Sequence, residues 1–148
     1  VIATKSSASS KAKMLSTKVA STGLKHTDDM TISDGPVILL EDLPSDAAIF
    51  DVENGVKDGT FALKEIDNGY LYGMYNPDNA LNVLDFKAEK DGSASWYISL
   101  TNANVAMIGT YANYGSDNLR YVNYSSSHSK FNFYANAKDV YIYYIDGK

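Results

Sequence analysis

From Thr31 onward, short runs of aliphatic, β-branched and aromatic residues alternate with turn sequences. The runs are Val37–Leu40, Thr60–Leu63, Tyr70–Tyr72, Leu81–Phe86, Trp96–Leu100, Val105–Ile108, Leu119–Val122, Phe131–Tyr134 and Val140–Ile145. Between them lie Asp34-Gly35, Asp58-Gly59, Asn68-Gly69, Asn76-Pro77-Asp78-Asn79, Asp91-Gly92 and Asp146-Gly147. Gly, Asn and Asp tolerate the positive φ that tight hairpins demand. Many short strands at regular spacing predict an all-β barrel or sandwich. The first thirty residues read differently. Val1–Lys5 predicts a strand, and the Ser/Ala/Lys-rich Ser6–Lys13 predicts a loop or hairpin. A helix over Lys11–Val19 competes, but Ser and Thr break its apolar stripe.

An internal repeat separates barrel from sandwich. Ile49-Phe50-Asp51-Val52, Trp96-Tyr97-Ile98 and Val140-Tyr141-Ile142-Tyr143 are alike, and their spacing of about 45 residues is a repeat period. Gly59–Leu63 corresponds to Asn104–Ile108, Tyr70–Tyr72 to Leu119–Tyr121, and Leu81–Phe86 to Phe131–Tyr134. In the first segment Val1–Lys5, Met14–Ser16 and Thr31–Leu40 fill the same slots with longer loops. Three pseudo-repeats, roughly 1–55, 56–101 and 102–148, of about four strands each predict a β-trefoil-like fold, with a β-sandwich as the alternative. All 148 residues fit a single domain with one core.

Composition narrows the function classes. Net charge is −5 with one arginine, Arg120, which argues against nucleic acid as the partner. No apolar run is long enough for a membrane span, so no membrane insertion is expected. The chain has no cysteine, which removes disulfides and thiolate chemistry. It begins at Val1 without a signal-peptide pattern and reads as a processed or excised segment.

At this point a resemblance enters. The stretches VIATKSSASSKAKMLST, TISDG, DGTFALKE, GYLYGMYN, GSASWYISL and VYIYYI resemble a β-rich accessory domain of multidomain secreted proteins from gut Bacteroidetes. That family's domain sits beside nuclease, peptidase or immunoglobulin-like modules. The resemblance implies a secreted or cell-surface, accessory role and no reaction. Family members show more residues before the first strand, and the abrupt start at Val1 implies a first strand with an open edge.

No catalytic or metal motif stands out, and no cofactor is expected. His26 precedes Asp28 and Asp29 but has no second histidine at metal spacing, so a solvated loop is the simpler reading. His128 lies in the polar turn Ser125-Ser126-Ser127-His128-Ser129, without a nucleophile elbow. The carboxylates Glu41, Asp42, Asp51, Glu53, Asp58, Asp85, Glu89 and Asp91 offer no obvious pair for glycoside hydrolysis. Aromatics carry the sharper expectation: the chain has 12 Tyr, five Phe and one Trp. Tyr faces stack on sugars while Asn and Asp bond their hydroxyls. Three clusters fit this chemistry: Tyr70, Tyr72, Tyr75, Asn76 and Asp78; Tyr111, Asn113, Tyr114 and Asp117; and Tyr121, Asn123 and Tyr124. Tyr is also a good strand former, so packing competes with binding at each cluster. Trp96 lies in the repeated strand and reads as core, and the Q-x-W pattern of ricin-type sugar binders is missing. The expected function is therefore a non-catalytic extracellular binding module with a glycan ligand. The alternatives are a structural or protein-interaction subunit of a secreted or surface assembly, through a protein partner or self-association, and, third, a hydrolase.

Overall fold

Alternation of period two governs the first long strand. In Lys11-Ala12-Lys13-Met14, Ala12 and Met14 are buried while the two lysines point outward. That is the signature of a half-buried strand. The computed structural model describes residues 1–5, 10–32, 35–101, 104–111, 119–136 and 138–147. Over them run β1 (Ile2–Thr4), β2 (Lys11–Ala20), β3 (Gly23–His26), β4 (Met30–Thr31), β5 (Val37–Leu39), β6 (Phe50–Asn54), β7 (Phe61–Glu65) and β8 (Gly69–Asn76). Then follow β9 (Leu81–Lys87), β10 (Tyr97–Leu100), β11 (Val105–Tyr111), β12 (Leu119–Ser125), β13 (Lys130–Tyr134), β14 (Val140–Ile142) and β15 (Tyr144–Asp146). The molecule is all-β, with 3-10 turns at Leu40–Asp42 and Gly92–Ala94 and no α-helix among the described residues.

The pairing is antiparallel except between β5 and β15. One sheet runs β1-β14-β11-β12-β13-β3-β2-β4, and β1 also pairs with β2, so seven strands close a ring. A second sheet is the meander β6-β7-β8-β9. Backbone bonds join the two. Phe61 and Trp96 exchange N–H···O bonds of 2.8 and 2.7 Å, and Leu84 N donates to Thr22 O at 2.8 Å. One apolar cluster includes Ile2, Leu15 and Leu24 from the first segment, Leu63, Leu71, Leu84 and Trp96 from the second, and Ile108, Val122, Phe133 and Val140 from the third. Trp96 is fully buried, and its indole N–H donates to Leu71 O at 2.9 Å. Its ring meets Phe133 edge-to-face at 5.8 Å. Gly73 makes room for that pair, because a Cβ there would lie 2.6 Å from Phe133 Cδ1.

Three expectations change. Lys11–Lys13 is strand, neither loop nor helix, because its alternation pairs it with β1 and β4. Gly23–His26, not expected as a strand, pairs with β2 and β13, and Thr31–Leu40, expected as one strand slot, supplies the end of β4 and the separate strand β5. β1 has no open edge: Ile2 pairs with Ile142 and Ala3 with Met14, so both sides are filled. The Asn68-Gly69 turn behaves as its residues require. Gly69 has φ +91° and lies against Lys87 O, where a Cβ would come within 2.4 Å.

Candidate functional site

Strand register splits the first tyrosine cluster. Side chains alternate along β8, so Tyr70 and Tyr72 share one face while Leu71, Gly73 and Tyr75 share the other. Tyr70 is only 9% exposed, packs with Ala62 and Ala94, and donates its hydroxyl to Glu53 at 3.0 Å. The ammonium groups of Lys64 and Lys90 lie 5.6 and 5.9 Å from its ring centre. Tyr72 carries Lys87 at 4.9 Å over its ring. Burial and the Asp85 charge push its phenol up, against the opposing pull of Lys87. Tyr75 packs against the main core, and the Arg120 guanidinium stacks 3.5 Å from its ring centre. Arg120 is held there by a 2.8 Å bond to Asn82. Asn76 accepts from Asp78 N, a turn-forming bond. These tyrosines thus have protein partners on both faces of the hairpin.

Of the second cluster, Tyr111 meets Tyr97 edge-to-face at 5.9 Å with Lys57 5.7 Å from its ring centre. Asn113, Tyr114 and Asp117 lie outside the described residues.

The third cluster borders open space. On β12, Tyr121 and Asn123 face one way and Tyr124 the other. Tyr121 packs over Gly109, and Asn123 is buried with its oxygen accepting from Tyr124 N at 2.9 Å. Tyr124 is braced edge-on by His26 at 5.7 Å and Phe131 at 5.3 Å. Tyr124 also packs against the main core and lines two adjoining clefts, which share Ser126 as well. One, of about 390 Å³, is walled by Thr4, Lys5, Lys11, Lys13 and Asp29. Thr4 and Lys13 are cross-strand partners of β1 and β2, and Lys11 follows on the same face of β2. Lys13 donates to the Asp29 carboxylate. That bond raises the Lys13 ammonium and lowers Asp29 from their ordinary values. The other cleft, of about 250 Å³, is walled by Asn123, Ser125, Ser127, Tyr134, Asn136 and Lys138. Burial pushes the Tyr134 phenol up, partly offset by a bond to Ser125, so it stays neutral at physiological pH. The lysines of β2 escaped the sequence reading because their segment resembles a linker in composition. The K-x-K alternation was the available signal.

Both histidines have local partners. His128 Nδ1 lies 2.9 Å from Ser125 Oγ and 3.2 Å from Ser127 Oγ, but all three sit on an exposed hairpin turn. Among the described residues no carboxylate is bonded to that ring, and sequence-local bonds of this kind shape turns. His26 Nδ1 contacts Thr27 O at 2.6 Å and supports Tyr124. Among the described residues no cluster of three or more His, Asp or Glu would hold a metal ion. No helix among them is long and apolar enough to cross a membrane.

A different cavity, of about 320 Å³, lies where β1, β6, β7, β10, β11 and β14 converge. Ile2, Phe50, Leu63, Ile98, Ile108 and Ile142 line it. Val52 and Tyr144 at its rim are 63% and 60% exposed. Comparison with known proteins adds nothing to this geometry: no family profile, no curated protein and no solved structure matches the chain.

Proposed function

We propose that this chain is a non-catalytic, extracellular or cell-surface binding module whose ligand is a glycan. The observation that carries the reading is the pair of adjoining polar clefts that share Tyr124. A braced tyrosine at clefts walled by hydroxyl, amide and ammonium groups suits a sugar, whose faces are weakly apolar and whose rim is hydroxyls. The accessory role and export follow from the resemblance to secreted Bacteroidetes domains and are proposed on that ground. A β-trefoil is the fold proposed to present the clefts. In its favour, β7–β10 and β11–β14 each run strand, hairpin, returning strand, and β6 with β7, β10 with β11 and β14 with β1 pair at the segment joints. Glycan-array screening tests the function. Binding to one glycan class, abolished by Tyr124→Ala in a folded protein, is the expected result; a blank array overturns it.

A second reading, contact with a protein surface, is favoured by the outer face of β5 and β15. Val37, Leu39 and Tyr144 are exposed there, beside the apolar cavity. We propose self-association through this face as the runner-up. Sedimentation measures it: a concentration-dependent dimer weakened by Tyr144→Glu supports it, and a monomer at every concentration removes it.

A further inference from the structure

We infer that the lysine-walled cleft beside Tyr124 selects anionic glycans, those bearing a carboxylate or sulfate ester, over neutral ones. This rests on the glycan-binding reading above and adds the charge of the ligand. The chain as a whole is acidic, with 18 carboxylate against 13 cationic side chains. The two clefts invert that balance: among the described residues Lys5, Lys11, Lys13 and Lys138 line them, against the single carboxylate of Asp29. A cleft of one sign in a body of the other concentrates ligands of the opposite charge. The inversion is built into regular structure. Lys11 and Lys13 occupy alternate positions of β2, and β1 is held opposite Lys13 from both sides. Their spacing along the strand, about 7 Å for two residues, matches the reach of one monosaccharide.

Asp29 marks where the anion sits. Its carboxylate lies on the Lys13 ammonium at the cleft wall, and its side chain is 49% exposed. A ligand carboxylate or sulfate that displaces it gains the same charge-assisted bond. The Tyr124 ring, fixed by His26 and Phe131, then offers its remaining surface to the sugar that carries the anion. Lys5, seated 5.0 Å from the Tyr141 ring centre, adds positive potential at the far wall.

Titration calorimetry of the full chain with three oligosaccharides tests this: a neutral galactan, a galacturonan and a sulfated glycosaminoglycan, with poly-glutamate as a charge-only control. We expect the anionic sugars to bind more tightly than the neutral one, and the affinity to fall in ~0.5 M salt. The carboxylate and sulfate arms say which anion is preferred. Lys13→Gln weakens binding about tenfold, a typical loss for one charge-assisted bond, while Lys13→Arg retains it. Asp29→Asn strengthens binding several-fold, a gain that a merely structural ion pair would not produce. Equal affinity for neutral and anionic sugars, or indifference to Lys13→Gln and Asp29→Asn, overturns the selectivity and leaves the glycan reading standing. Poly-glutamate binding as tightly as the sugars reduces the cleft to an ion exchanger and overturns the inference. Failure of every sugar overturns both readings.

Discussion

Thr110 places a fully buried hydroxyl where no partner among the described residues reaches it. A buried polar group without a hydrogen bond is destabilising relative to an apolar group of the same shape. Thr110→Val is therefore expected to leave stability unchanged or raise it by ~1 kcal/mol. Urea denaturation reads this directly, and a clear loss of stability would mean that the hydroxyl is bonded after all. Gly73 presents the opposite situation. Gly73→Ala drives a methyl into the Phe133 ring, an overpacking expected to cost about 1–3 kcal/mol. If the clash is the cause, Phe133→Leu in the same molecule recovers part of the loss, and a double-mutant cycle detects the coupling. Additive losses would place the defect elsewhere, in the glycine backbone itself.

Between residue and fold, the segment from β9 to β10 is organised around one side chain. Asp91 accepts from Ser93 N and Ala94 N at the head of the 3-10 turn, from Ser93 Oγ, and from Lys87 at 2.5 Å. Burial pushes this carboxyl up, but Lys87 and the Ser93 bonds outweigh it and hold it below the ordinary aspartate value. A carboxyl depressed in the folded state stabilises above its unfolded pKa, and that contribution is lost as pH falls through the folded value. Asp91→Asn is expected to lower the melting temperature near neutral pH and to narrow its gap to wild type under acid. Melting curves across the acid range check the sign; a gap that widens on acidification refutes it. Strands at this scale were legible where the chain carries dense β-branched and aromatic residues, as in β7, β9, β11 and β13. β3 was not, because Gly-Leu-Lys-His carries little local strand preference. Its identity comes from Leu24 pairing with Val19 and with Phe131, more than a hundred residues on. The candidate site was legible as residue types but not as a surface. A one-residue step decides which face a side chain takes; Tyr75 and Tyr124 both pack against the core, and of the two only Tyr124 also lines the polar clefts described above.

Across the whole molecule, all three segments contribute side chains to one apolar cluster. Residues that share a core lose their packing together. Tryptophan fluorescence, which reports Trp96 in the second segment, and far-UV dichroism, which reports the sheets, are thus expected to give coincident denaturation curves. Two separated transitions would mean that the meander β6–β9 melts independently of the ring. The ring also imposes an order in time. β1 is made long before β14, yet its register with β14 joins Ile2 to Ile142. At ordinary rates of synthesis, roughly 5–20 residues per second, those partners emerge on the order of ten seconds apart. During that interval β1 has only β2 beside it, and its other edge stays unpaired. A nascent chain of this protein thus carries a temporary adhesive edge that only β14 extinguishes, so a ribosome stalled before Val140 holds a sticky intermediate, while one that has released Val140–Ile142 does not.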